Sequence, residues 1–234
     1  MQLNVASYNI RKAIGVDRRR KPDRIISVLR ELDADVIALQ EVDRRFGRRE
    51  SALPLAAILE HTPYRPVPMA LRRGSMGWHG NALLVRRGVE IFDATALELP
   101  VIEPRGAICA ELLIRGQRVR VAGMHLDLSG LRRREQVRQV LLYINDRCPR
   151  IPSVLMGDFN QWTSRRGCMT EFGGDWQLLD TGNSFPSRRP VAGLDRIVVS
   201  HQWQVIDASP HHSTLASRAS DHLPVKAKLA LPIN

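Results

Sequence analysis

Leu3-Asn4-Val5-Ala6-Ser7-Tyr8-Asn9-Ile10 and Asp35-Val36-Ile37-Ala38-Leu39-Gln40 are two apolar, β-branched runs separated by a segment with a different period. That segment opens at Pro22 and repeats Ile25, Ile26, Val28, Leu29 and Leu32 at helical spacing. The stretch therefore reads as strand, helix, strand, and both strands end in polar residues. An α/β sheet follows, because a helix between two buried strands packs its apolar stripe on their face.

Working outward, 53–59 reads as a short helix, and Pro63, Pro66 and Pro68 break regularity before the apolar run Asn81-Ala82-Leu83-Leu84-Val85. Extended runs follow at 89–97, 107–114 and 118–126, with a hairpin turn at Arg115-Gly116-Gln117. Ser129 is the expected cap of a helix whose stripe is Leu131, Val137, Val140, Leu141 and Ile144. A strand at 153–156, an irregular stretch over 165–190 and strands at 194–199, 203–207 and 223–229 complete the chain. Strands and helices interleave without a low-complexity linker, so one domain over 1–234 is expected.

At 234 residues and 44% hydrophobic content the chain can bury a sizeable core. It contains no apolar run of about 20 residues and no secretory pattern at its start, which points to a cytoplasmic protein without a transmembrane segment. Monomeric behaviour is expected. Cys109, Cys148 and Cys168 fall at unrelated spacings and read as reduced thiols rather than zinc ligands or a nucleophile. The net charge of +11 favours polyanionic partners, although only Lys12, Lys21, Lys226 and Lys228 among the 35 basic residues are lysine.

The chemistry lies in how the apolar runs end. Asn9, Glu41, His125, Asp158 with Asn160, and the Asp221-His222 pair each terminate or abut a strand. Taken singly, each suits an ordinary turn, cap or buried histidine. Polar ends of several strands that converge at one sheet edge make a ligand crevice, and oxygen donors there suit Mg2+ or Mn2+.

These motifs resemble the endonuclease/exonuclease/phosphatase superfamily, which includes pancreatic deoxyribonuclease, base-excision endonucleases, neutral sphingomyelinases and inositol polyphosphate 5-phosphatases. The resemblance rests, in order, on Ser7-Tyr8-Asn9-Ile10, Leu39-Gln40-Glu41-Val42, Gly80-Asn81-Ala82-Leu83-Leu84 and Met124-His125-Leu126. It continues through Met156-Gly157-Asp158-Phe159-Asn160, Leu194-Asp195-Arg196-Ile197-Val198 and Ser220-Asp221-His222-Leu223-Pro224-Val225. It implies a four-layer α/β sandwich, two packed mixed β-sheets flanked by helices. It further implies Glu41 as the main metal ligand, Asn9 on a metal water or phosphate oxygen, and Asp221 supporting the site or a second metal. Asp158 and Asn160 would position water or phosphate, and Asp195 would orient His222.

His125 places the chain nearer the deoxyribonuclease and sphingomyelinase members. The carboxylate expected to partner it has no counterpart near His79, Gly80 and Asn81, so His125 is either a leaving-group acid or, with Asn81, a phosphate ligand. Arg11 with Lys12, Arg44 with Arg45, Arg132 to Arg134, and Arg165 with Arg166 follow the motifs and are expected to ring the site or to be solvated turns. Trp78, Trp162 and Trp176 are candidates for stacking on a base or capping a headgroup. The favoured function is a metal-dependent nuclease acting on DNA or RNA. A phospholipid-headgroup phosphodiesterase or phosphatase is the alternative, with anionic phospholipid as partner, and an inactive binding protein is the third reading.

Overall fold

The computed structural model describes residues 1–44, 50–69, 74–100, 105–147 and 151–232. Arg45 and Cys148 lie outside them. Twelve strands form two six-stranded sheets.

In the first sheet, β1 (Gln2–Asn9) runs parallel to β2 (Val36–Gln40), and α1 (Pro22–Leu32) connects them. After α2 (Leu55–His61) come β3 (Tyr64–Pro66) and β4 (Ala82–Arg86), which extend the sheet beyond β2. The second sheet is contiguous in sequence: β5 (Glu90–Leu97), β6 (Gly106–Ile114), β7 (Gln117–His125), α3 (Gly130–Asp146), β8 (Ser153–Asp158), β9 (Trp176–Leu178) and β10 (Asp195–Ser200). The chain then returns to the first sheet with β11 (Gln204–Pro210), the short α4 (Ala216–Ala219) and β12 (Val225–Ala230).

Each sheet contains one parallel pair, β1 with β2 and β7 with β8, each closed by a crossover helix. Both sheets are thus mixed, as expected.

Period-two alternation sorts the side chains into three apolar layers. Leu3, Val5, Val36 and Ala38 meet Ile108, Val121, Val154, Met156 and Ile197 between the sheets. On the outer face of the first sheet, Ala6, Tyr8, Ile37 and Leu39 pack on Ile25, Val28 and Leu29 of α1. On the outer face of the second, Cys109, Ala122, Met124 and Leu155 pack on Val137, Val140 and Ile144 of α3. Central strands covered on both faces carry no solvent-facing alternation, which is why they read as continuous apolar runs. Helix, sheet, sheet, helix is the four-layer sandwich.

Several expectations need correction. Leu131 does not join the α3 stripe: it is 81% exposed in the first turn. Ser129 sits at the cap position without a side-chain capping bond, and Asp127 Oδ1 instead accepts from the Ser129 backbone N–H at 2.9 Å. The second helix lies at Leu55–His61, two residues later than read. The proline-broken stretch holds the edge strand β3, and the irregular stretch holds a 3-10 turn at Gly167–Glu171 and β9. Three-residue strands carry too little pattern to be recognised.

The sheets are clamped at the end opposite the strand tips. Arg115, in the β6–β7 turn, reaches across to Asp35 with bonds of 2.7 and 3.0 Å, and Asp35 also accepts the Asn4 N–H at 2.9 Å. Asp35 is buried, and its removal leaves the part-buried Asn4 N–H without this partner and the guanidinium without its anion. Asp35→Ala is expected to destabilise the fold by about 1–3 kcal/mol, read as a lower urea midpoint at unchanged m-value.

Candidate active site

The polar tips converge between the two sheets. In the register of the second sheet His125 pairs with Asp158, and Asp158 with Asp195, so three neighbouring strands present these groups in one row. Gly157 permits this: a Cβ there would overlap the Met124 carbonyl oxygen, so only glycine lets β8 lie this close to β7. Gly123 plays a related part between the sheets, where a Cβ would come within 2.9 Å of Leu83 and 3.1 Å of the Ala38 methyl.

Asp158 is the hub. Its Oδ2 accepts from Asn9 Nδ2 at 2.9 Å, a bond that joins the first sheet to the second, and its Oδ1 accepts from the Asn160 N–H at 2.9 Å. Asn160, in the left-handed region at φ 48°, turns its side chain back to donate to the Leu126 carbonyl. His125 Nε2 and His222 Nε2 lie 3.4 and 3.9 Å from the same Oδ2. Burial raises the Asp158 carboxyl above the ordinary carboxylate range, against the pull of His222.

His222 Nδ1 meets Asp195 Oδ2 at 2.8 Å, and Ser184 Oγ donates to that oxygen at 2.6 Å. The Phe185 ring lies 4.9 Å from the imidazole. Ser220 Oγ, donating to the Asn9 carbonyl at 2.7 Å, fastens the Asp221-His222 segment to the end of β1. Burial disfavours charge on His222, yet Asp195, Asp158 and Asp221 outweigh it and push its pKa up to about 10. His125 moves the other way, well below its ordinary value, because it is buried and Arg105 lies against its ring nitrogens. Their surroundings thus push the two imidazoles in opposite directions.

Glu41 stands opposite, in the left-handed region at φ 55°. Arg11, Lys12 and Ala13 are also left-handed, and this tight segment ion-pairs the Lys12 ammonium with the Glu41 carboxylate. Burial opposes ionisation of Glu41, but Lys12, Arg105 and His222 together lower its pKa. Asp221 pairs with Arg11 at 3.1 Å.

Of the residues expected from sequence, Asn9, His125, Asp158, Asn160, Asp195 and His222 form one contact network. Glu41 joins it through the charges acting on it, and Asp221 flanks His222. Asn81 is buried, donates to the Trp78 and Gly106 carbonyls, and has an Oδ1 without a hydrogen-bond partner. Arg44 and Arg165 are exposed on the loops after Glu41 and Asn160.

The arginine ring is only partly realised. Arg134 is committed to Glu171 at 2.8 Å, and Arg133 to the Leu128 carbonyl and Gln161. Trp176 lies in β9 against Phe172, while Trp162 is exposed. Arg105 and Ser184 were not anticipated. No periodicity marks a lone arginine before a strand or one serine in an irregular loop, and only the register of Gly106 with His125 reveals Arg105 as a neighbour.

The donor atoms of Asp158, Asp195 and His222 lie within 4.8 Å of one another. Two of them are already bound to each other in the Asp195–His222 bond, which suits an orienting couple better than a metal cage. Glu41 already faces a side-chain cation, Lys12, and its oxygens with those of Asn9 and Asp158 are hard donors of the type Mg2+ or Mn2+ takes.

Two sheets packed face to face, with a buried carboxylate–histidine cluster at their joined tips, make a four-layer α/β sandwich with its polar site at one end. The chain belongs to the Endonuclease/Exonuclease/phosphatase family, whose model matches residues 6–222. It is 24% identical over 245 aligned positions to the uncharacterised protein YbhP of Escherichia coli strain K12, covering 97% of this chain and 96% of that one. The mannosyl-6-phosphatase Bt3783 of Bacteroides thetaiotaomicron shares the fold at a TM-score of 0.76 and 20% identity, over 98% of this chain and 100% of that one. So does TDP2 of D. rerio, solved with a single-strand DNA product, at 0.75 and 16%, over 98% and 99%. No helix among the described residues is long and apolar enough to cross a membrane.

The His222 shift has a measurable consequence. A histidine whose folded pKa exceeds its ordinary 6.5 contributes stability that is complete below that value and is lost as pH rises toward about 10. In chelator, the wild-type Tm is expected to fall across this interval, and His222→Asn is expected to flatten the decline while lowering Tm at pH 6. A parallel decline in both proteins would disconnect the pH response from His222.

Proposed function

We propose that this chain is a divalent-metal-dependent phosphodiester hydrolase with its active site around Asp158. The observation that carries the reading is the convergence of two imidazoles on one buried carboxylate oxygen: His125 Nε2 and His222 Nε2 both face Asp158 Oδ2, and His222 is backed by Asp195.

Glu41, with Asn9 and Asp158, would hold Mg2+ or Mn2+, which when bound supplies positive charge to a phosphate oxygen. The chain's own residues do the rest. Asp158, made more basic by burial and oriented by Asn9 and Asn160, accepts the proton of the attacking water. His222, fixed in one orientation by Asp195 and Ser184, presents its Nε2–H to the non-bridging oxygens, where negative charge grows. His125 and Arg105 bind the phosphate, and the free Oδ1 of Asn81 accepts from a water or a substrate hydroxyl. His125 as leaving-group acid is disfavoured by its lowered pKa.

Two substrate classes remain. Nucleic acid is supported by the net charge of +11 and by the DNA bound to TDP2. A phospholipid phosphoester is supported by exposed aliphatic side chains beside the site, taken up below. A cytoplasmic monomer of one domain is the simplest setting for either.

Bis-(p-nitrophenyl) phosphate tests the reaction without choosing a substrate. Turnover is expected with Mg2+ or Mn2+ and abolished by chelator. Asp158→Asn and His222→Asn are each expected to reduce kcat by roughly 10²–10⁴. Glu41→Gln should raise the metal concentration needed for half-maximal rate. Full activity in chelator, or in Asp158→Asn, would overturn the assignment.

A further inference from the structure

β7 and β8 are parallel and β10 is antiparallel to β8, so the end of β7, the end of β8 and the start of β10 lie at one end of the sheet. These are the positions of His125, Asp158 and Asp195. Each adjoining loop carries a large apolar side chain within a few residues, Leu128 after His125, Trp162 after Asp158 and Val191 before Asp195, which are 66%, 65% and 64% exposed. Leu131 joins Leu128 from the first turn of α3.

Single exposed apolar residues are ordinary on a protein surface. These are tied to one another and to the site. Arg133 bonds both the Leu128 carbonyl and the Gln161 side chain, and Arg196 reaches from β10 to the Gln161 carbonyl, so the loops of Leu128, Trp162 and Val191 are held as a unit. The Val191 N–H donates to the carbonyl of Phe185, whose ring covers His222.

The loops are also basic. Arg165 and Arg166 follow Trp162, and Arg188 and Arg189 precede Val191, all four exposed. Aliphatic tips with one tryptophan, among arginines, match the interfacial region of an anionic bilayer: apolar groups enter the acyl boundary while arginines meet the headgroups. A single-stranded nucleic acid would exploit aromatic faces, and among these apolar groups only Trp162 provides one.

We propose that this rim docks the protein on an anionic lipid surface, with the site opening toward the headgroups, and that its substrate is a phosphoester carried at that surface. The docking surface stands independently of the hydrolase reading; the choice of substrate rests on it.

Sedimentation with vesicles measures docking without turnover. In chelator, the protein is expected to bind phosphatidylcholine vesicles containing about a third phosphatidylglycerol, and pure phosphatidylcholine more weakly. The triple variant Leu128→Ser, Trp162→Ser, Val191→Ser should bind roughly tenfold or more weakly. It should still unfold at the wild-type Tm, while Asp158→Asn should bind vesicles normally. Equal vesicle binding by wild type and triple variant would overturn the proposal. So would a wild type that ignores vesicles but loses affinity for a single-stranded oligonucleotide on the same substitutions. Loss of diester turnover in the wild type, with vesicle binding intact, would instead remove only the hydrolase reading.

Discussion

A carboxylate buried where two sheets meet must be matched by donors, and Asp158 is matched from both sides. Asn9 reaches it from the first sheet, and the Asn160 N–H from its own loop. Leaving such a group without partners would cost several kcal/mol, so the contact constrains how the sheets sit together as well as how the site is built. The Arg115–Asp35 clamp fixes the opposite end. With both ends tied, the apolar layer between the sheets fills a space whose boundaries are set by polar contacts.

The topology explains why polar groups arrive at one place. Both sheets contain a strand, helix, strand unit with parallel strands, and parallel strands bring their carboxyl ends to the same side. Asn9 and Gln40 end one pair, His125 and Asp158 the other. The remaining groups come from strands running the opposite way, which offer their beginnings at that side: Asp195 starts β10, and Asp221-His222 precedes β12. Strand ends from across most of the chain thus meet at one place, and the loop between β9 and β10 adds Ser184 and Phe185 to them.

Much of this was legible from residues alone. Val5 and Tyr8, or Val36 and Ile37, announce strands because both faces are covered, and α1 announces itself through Ile25, Val28, Leu29 and Leu32. The strand tips stood out because Asn9, His125 and Asp158 end apolar runs where burial makes polarity costly, whereas Asp195 was reached only through the family resemblance. Contacts that depend on register were not visible. Arg105 reaches His125 only because β6 and β7 pair with Gly106 opposite His125. Leu131 misled because it is apolar at the start of the helix, yet six residues before Val137 it falls on a different face from the stripe and stays 81% exposed. The arginines of α3 looked available to substrate, but Arg134 and Arg138 serve Glu171.

The left-handed segment that carries Lys12 onto Glu41 bears on how the protein is made. Many small metal sites are crowded with like charges until their ion arrives, and their chains stay unfolded without it. Here the mutual repulsion of the acidic groups is relieved by the chain itself, through Lys12 at Glu41, Arg11 at Asp221 and His222 at Asp195. Assembly is thereby uncoupled from the supply of cation: a newly synthesised molecule can reach its final shape in a metal-poor environment, and the ion that the proposed reaction calls for would enter afterwards by exchange for an ammonium.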